Sequence, residues 1–165
     1  MVPGVMSSSV QDHTVRQVPV PSAVLELTTL ARVDYADAFL VPTAQARSRT
    51  AEAWARAVLQ DAPLGVRTSL LSGWSALGLK MSRSDGSVLG WEVRTSTPDL
   101  ALLGAESHLG LRGQLLFKRE PEAVLFSTLV QHDNPVARTV WAGVEAAHVR
   151  IVQRILEQAE LRWRA

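Results

Sequence analysis

The chain has 165 residues, 47% of them hydrophobic and 20% charged, with 17 Lys and Arg against 16 Asp and Glu. These values describe one globular domain with a sizeable core and exclude a long disordered chain. A net charge of +1 supplies no field for gripping a phosphate backbone, so no nucleic-acid partner is expected. Without cysteine the chain has no disulfide, thiol nucleophile, iron–sulfur cluster or cysteine zinc site. No stretch approaches the roughly 18 apolar residues of a membrane span, and the start lacks a basic segment followed by an apolar one. The expectation is a cytoplasmic protein with no membrane span.

Residues 1–21, with Ser7-Ser8-Ser9, Pro3, Pro19 and Pro21, show no apolar period and read as a flexible N-terminal arm before a single domain over 22–165. Val24, Leu25, Leu27 and Leu30 begin the apolar signal but fit a helical turn and an edge strand equally. Residues 32–41 predict a first strand that Pro42 ends, with Tyr35 and Phe39 on one face. Ala51, Trp54, Ala55, Val58 and Leu59 then recur at helical spacing, with Ser48 as the expected cap. A second helix is predicted over 64–77, separated from the first by Pro63 and Gly65 and closed by Gly78.

After the Asp85-Gly86 turn the period changes to two. Leu89, Trp91 and Val93 predict a half-buried strand, and a second runs from Pro98-Asp99 to near Ser107. In a third, Leu109, Leu111, Leu115 and Phe117 alternate with Gly110, Arg112, Gln114 and Lys118. A fourth covers 123–132, where Val124, Phe126, Thr128 and Val130 share one face and Leu125, Ser127 and Leu129 the other; the pattern leaves its buried side open. Asn134-Pro135 opens a long terminal helix. Its apolar face carries Val140, Trp141, Val144, His148, Ile151, Val152, Ile155 and Ala159, whereas Arg138, Gln153, Glu157 and Glu160 point away.

A strand, two short helices, a run of antiparallel strands and one long C-terminal helix is an order that resembles the helix-grip fold of the START-like and Bet v 1-like (SRPBCC) superfamily, which includes polyketide cyclases and lipid-transfer proteins. The residues that carry the resemblance are Asp34-Tyr35-Ala36-Asp37-Ala38-Phe39, the Trp54 helix, Trp74 with Leu77-Gly78-Leu79, Leu89-Gly90-Trp91, Asn134-Pro135 with Arg138 and Trp141, and His148. They look like a bacterial branch of that superfamily, over residues 22–162. The resemblance implies an α+β fold with a curved antiparallel sheet wrapped around the C-terminal helix, and an apolar cavity between them. Such sheets have six or seven strands; five are placed here, so residues 80–84 are a candidate for another.

The expected partner is therefore a small hydrophobic molecule such as a lipid, isoprenoid or polyketide, bound by a monomer or homodimer without a cofactor. His148, Trp141, Thr128, Phe126, Trp91 and Leu111 are the candidate cavity residues. His148 has two readings: a structural imidazole bonded to a carbonyl or polar side chain of the sheet, or a functional one aimed into the cavity. Trp54, Trp74 and Trp91 fall on apolar faces and read as core. His132 stands beside Asp133, but Asp133-Asn134 reads better as a helix start. Arg94, Arg112 and Glu92 read as solvated charges, and Arg162, Trp163 and Arg164 as a solvated helix end. Glu106, Ser107 and His108 form no arguable triad, and the four histidines show no metal-binding spacing. Two alternatives remain open: a cyclase- or dehydratase-like enzyme using His148 with Thr128 or an arginine, and an interaction protein with a filled core. Two or more ionisable groups converging on the cavity would favour catalysis.

Overall fold

The computed structural model describes residues 14–164. Their strands are β1 (Arg16–Val18), β2 (Tyr35–Pro42), β3 (Glu92–Ser96), β4 (Leu100–Glu106), β5 (Leu111–Glu120) and β6 (Ala123–His132). The helices are α1 (Ser22–Leu27), α2 (Ala51–Leu59), α3 (Leu64–Ala76) and α4 (Pro135–Arg164), with a 3-10 turn over Ala46–Ser48. The strands form one antiparallel sheet in the order β1-β2-β6-β5-β4-β3. No helix among the described residues is long and apolar enough to cross a membrane.

The sixth strand lies elsewhere than expected. Residues 80–84 form none, although Lys80 N–H donates to the Glu106 carbonyl. Instead Arg16–Val18, inside the stretch read as an arm, pairs with Ala38–Leu40 at the sheet edge. Residues 1–13, including Ser7-Ser8-Ser9 and His13, lie outside the described residues. Three residues with one apolar member are too few for a period-two signal, so this strand depends on the ladder that β2 offers it.

Both faces of β6 are buried, one under the helices and the other under the N-terminal segment, which answers the question its pattern left open. Val124, Phe126, Thr128 and Val130 face α4, while Leu125 and Leu129 join Ala38, Leu102 and Leu116 on the opposite face. There they pack under Val24 of α1 and under Val18, Val20, Leu27, Leu30 and Val33. The sheet is thus covered on both sides. Gln114, on the polar side of its strand's alternation, is 2% exposed because Thr28 and Thr29 close over it and bond its amide. A buried amide needs such partners, and here they fasten the N-terminal segment to the sheet.

The local signals hold with small shifts. Thr50, not Ser48, caps α2: its hydroxyl accepts from Ala53 N–H at 3.1 Å, and Ser48 ends the preceding 3-10 turn. Helix α3 closes as expected on Gly78 (φ +77°), with Leu79 N–H bonded to the Trp74 carbonyl and Gly78 N–H to that of Ser75, the paired bonds of a Schellman motif. The strand expected from Leu89 begins only at Glu92, because Leu89 (φ +45°) and Gly90 (φ +92°) turn the chain first.

Helix α4 runs unbroken through Gly143. Asn134 caps it, its side-chain oxygen accepting from Ala137 N–H at 2.8 Å. Two expectations for its far end are corrected. Glu160 is buried, not solvated, and meets Arg164 Nε at 2.8 Å. The terminus itself docks on α2: Trp163 packs on Trp54 with ring centroids 4.4 Å apart, and Arg162 donates to the Ala57 carbonyl at 2.8 Å. A helix of 30 residues overruns the sheet, and its last turn finds α2 as a second surface.

Candidate functional site

Between the sheet and α4, with α3 along one side, lies a cavity of about 440 Å³. Sheet residues Leu111, Gly113, Leu115, Phe126, Thr128 and Val130 form one wall, with Trp91 beside them. Val140, Trp141, Val144, Ala147, His148, Ile151, Val152 and Ile155 of α4 face them, and Leu70, Gly73, Trp74 and Leu77 come from α3. The six candidate residues, His148, Trp141, Thr128, Phe126, Trp91 and Leu111, all stand in this wall. Trp74 lines it too, so of the three tryptophans read as core only Trp54 lies away from the cavity. Gly113 makes the room for Trp91: a Cβ there would stand 3.2 Å from the indole.

Apart from indole nitrogens, the wall carries three polar side chains, Ser69, Thr128 and His148. No arginine is among them. Arg94 pairs with Glu92 and Glu106, and Arg112 pairs with Asp133, as surface charges do. Ser107 spends its hydroxyl on the Leu77 carbonyl at 2.6 Å, so Glu106, Ser107 and His108 form no relay. Among the described residues no group of three or more His, Asp or Glu side chains is placed to hold a metal ion.

His148 is 20% exposed at its side chain, and its partner is a carboxylate. Its Nε2 stands 3.1 Å from Asp37 Oδ2, on β2. The Asp37 side chain is only 1% exposed and has two further donors: Tyr35 Oη at 2.7 Å from Oδ2 and the Thr128 N–H at 3.1 Å from Oδ1. Rings crowd the same point, with Trp141 5.1 Å from both Tyr35 and His148 between centroids. The arrangement follows from two periods. Tyr35 and Asp37 share a strand face, and Trp141 and His148 lie two turns apart on α4.

Asp37 is the residue that the candidate set lacks. Its signal is a carboxylate on the same strand face as Tyr35 and Phe39, a position where an acid needs donors or disrupts the core. Those donors fix the proton on the imidazole. An ionised carboxylate only accepts, so in the neutral ring Nε2 carries the hydrogen and Nδ1 keeps its lone pair. Nδ1 has no protein partner among the described residues.

Tyr35 is the only tyrosine of the chain, which makes its ionisation directly readable. Burial and then the Asp37 hydrogen bond push its phenol well above the usual value near 10. A raised folded pKa contributes stability in full below pH 10, and that contribution is lost as the pH climbs toward the folded value. Titration at 295 nm should show no phenolate at pH 11 while the far-ultraviolet spectrum stays native, with phenolate rising only as the protein unfolds. Ionisation near pH 10 in the folded state would refute the Tyr35–Asp37 bond.

No family model, curated protein or solved structure matches this chain. The fold is α+β, with a six-stranded antiparallel sheet and a long C-terminal helix, an architecture compatible with a helix grip.

Proposed function

We propose that the protein binds a small, predominantly apolar molecule in the cavity between the sheet and α4. The observation that carries this reading is the cavity itself: about 440 Å³, walled by aliphatic and aromatic side chains, with few polar groups. That volume lies within the range of small-molecule sites, and a preformed apolar hollow with sparse polar groups is the usual geometry for holding and orienting such a guest. A protein with a filled core would have packed this space, since interiors close to about 0.75 of their volume. Kinship with the START-like and Bet v 1-like superfamily belongs to the same proposal, supported by the order of the helices and strands. The likeness is one of architecture, so it lends the reading a precedent and not a ligand.

The test uses the purified chain. Mass spectrometry of organic extracts looks for a carried ligand. Quenching of tryptophan emission, for which Trp74, Trp91 and Trp141 stand in the wall, follows titration with fatty acids, isoprenoid alcohols and aromatic polyketides. Saturable quenching by one class is expected, and Ala147→Trp, which plants a large ring in the cavity from α4, should abolish it in a folded protein. Absence of both a carried molecule and saturable quenching across all three classes would overturn the proposal.

A further inference from the structure

The Asp37–His148 pair has more order than holding an apolar guest requires. A cavity meant only for storage is best lined with hydrocarbon, because each polar group in it must be desolvated when the guest arrives. Here an imidazole in the cavity wall turns one nitrogen to a carboxylate that is almost wholly buried, and that carboxylate is itself held by Tyr35 Oη and by the Thr128 N–H. Two donors besides the ring fix the carboxylate, the carboxylate fixes the ring and its tautomer, and the remaining nitrogen is left without a protein partner among the described residues. This is the arrangement of a base with its orienting group.

We propose that His148 is a general base acting through Nδ1 on a guest that is a weak carbon acid, an apolar and preferably planar carbonyl compound, and that the reaction is a proton shift. The proposal rests on the cavity accepting an apolar guest. In the step, Nδ1 takes a proton from the carbon next to the carbonyl. The C–H electron pair becomes a carbon–carbon double bond and the carbonyl π pair moves to oxygen, giving an enolate. The imidazolium so formed lies against the Asp37 carboxylate, which needs no rearrangement to stabilise it. Where the guest carries a β,γ double bond the anion is a dienolate, and return of the same proton to the γ carbon moves that double bond into conjugation with the carbonyl, an isomerisation that consumes no oxidant, reductant or water. Asp37 is a positioning residue: it acts through His148 and touches no guest. Thr128, whose N–H holds Asp37, also carries an enclosed hydroxyl without a protein partner among the described residues, so the polar end of the site is dry.

The probe is 5-nitrobenzisoxazole, a planar aromatic carbon acid. Loss of its C3 proton breaks the ring N–O bond and releases a coloured cyanonitrophenolate, so a base in an apolar hollow is read without knowing the natural guest. Binding is followed separately, by tryptophan quenching with the same compound. At pH 7 we expect turnover at least about 100-fold above that with free imidazole at equal concentration, the scale of general-base catalysis. His148→Gln should remove that acceleration and leave quenching intact. In Asp37→Asn, kcat per folded molecule, with the folded fraction read by circular dichroism and by the amplitude of tryptophan quenching, should fall by about 10-fold or more; a fall no larger than the loss of folded protein would make Asp37 structural only. Quenching without acceleration, or equal acceleration in His148→Gln, overturns the base and leaves the binding reading standing. Absence of quenching by any apolar guest overturns both.

Discussion

Asp37→Ala is expected to destabilise the protein by about 3–5 kcal/mol, the scale on which breaking a buried ion pair or network exceeds the net worth of the pair itself. The substitution strips the acceptor from three donors at once: Tyr35 Oη, His148 Nε2 and the Thr128 N–H. Each is left in surroundings too dry to replace it fully, and unsatisfied buried groups cost more than made bonds contribute. Asp37→Asn should cost less, because the amide oxygen keeps one acceptor where the carboxylate had two. Urea unfolding followed by circular dichroism orders the variants. Equal stability of Asp37→Ala and the parent would mean that water, not Tyr35 and His148, serves this carboxylate.

Trp54→Ala should cost a similar amount, about 3–5 kcal/mol, for a different reason. The Trp54 side chain is among the largest fully enclosed in the chain. Its Nε1 donates to the Ala46 carbonyl at 2.8 Å, Trp163 packs on its ring, and the Arg49 guanidinium stands 4.9 Å from the ring centroid. Truncation leaves a void bordered by α2, by the 3-10 turn and by the end of α4, elements that do not collapse together easily. Trp74→Ala offers the internal contrast. That indole is partly exposed on α3 beside an existing cavity, so its loss should cost less stability and fall mainly on guest binding. Were the two variants equally stable, the assignment of Trp54 to the core and Trp74 to the wall would be wrong.

The sequence displays those parts of the fold that carry a long period. Helix α4, the α2–α3 pair and strands β4 to β6 each repeat an apolar motif often enough to be read, and β6 is bounded at the residues its pattern gives. Short elements escape. Strand β1 and helix α1 are three and six residues long, and both form because other surfaces await them: an open edge of β2 and the outer face of the sheet. The same covering layer explains why Gln114 is misplaced by alternation, since a period of two reports two faces and not whether a loop covers the polar one. For Glu160 the helical phase is sound but the surroundings are not local: the docked α4 terminus buries a position that a lone helix would leave in water. At the site, helical phase puts Trp141 and His148 on one face of α4, whereas the hollow itself is an expectation from the helix-grip resemblance, and the pattern leaves open which side of β6 lines it. Asp37 required a further step, from an acid on an apolar strand face to the imidazole that meets it, and this pairing joins residues 111 positions apart.

Helix α4 is held like a beam at its two ends. Ala137 and Trp141 seat the beginning on the sheet beside Leu111 and Val130, and Val152 to Trp163 seat the end against the main core and α2. Between these seats the cavity lies under the helix, with His148 bonded across to Asp37 of the sheet. Helix α3 has no comparable support: Leu70 is its only buried residue, and it hangs between Pro63 and the Gly78 turn. Backbone amides whose protection depends on few buried contacts exchange through local opening, at a free energy well below that of global unfolding. Deuterium uptake should therefore reach α3 long before β5, β6 or either end of α4, and a guest in the cavity should slow it there first. Simultaneous exchange of α3 and the sheet would show that the helix opens only when the whole molecule does. If α3 leads, the side of the hollow that yields first is this helix, and its local opening widens the space a guest occupies without unfolding the sheet beneath it.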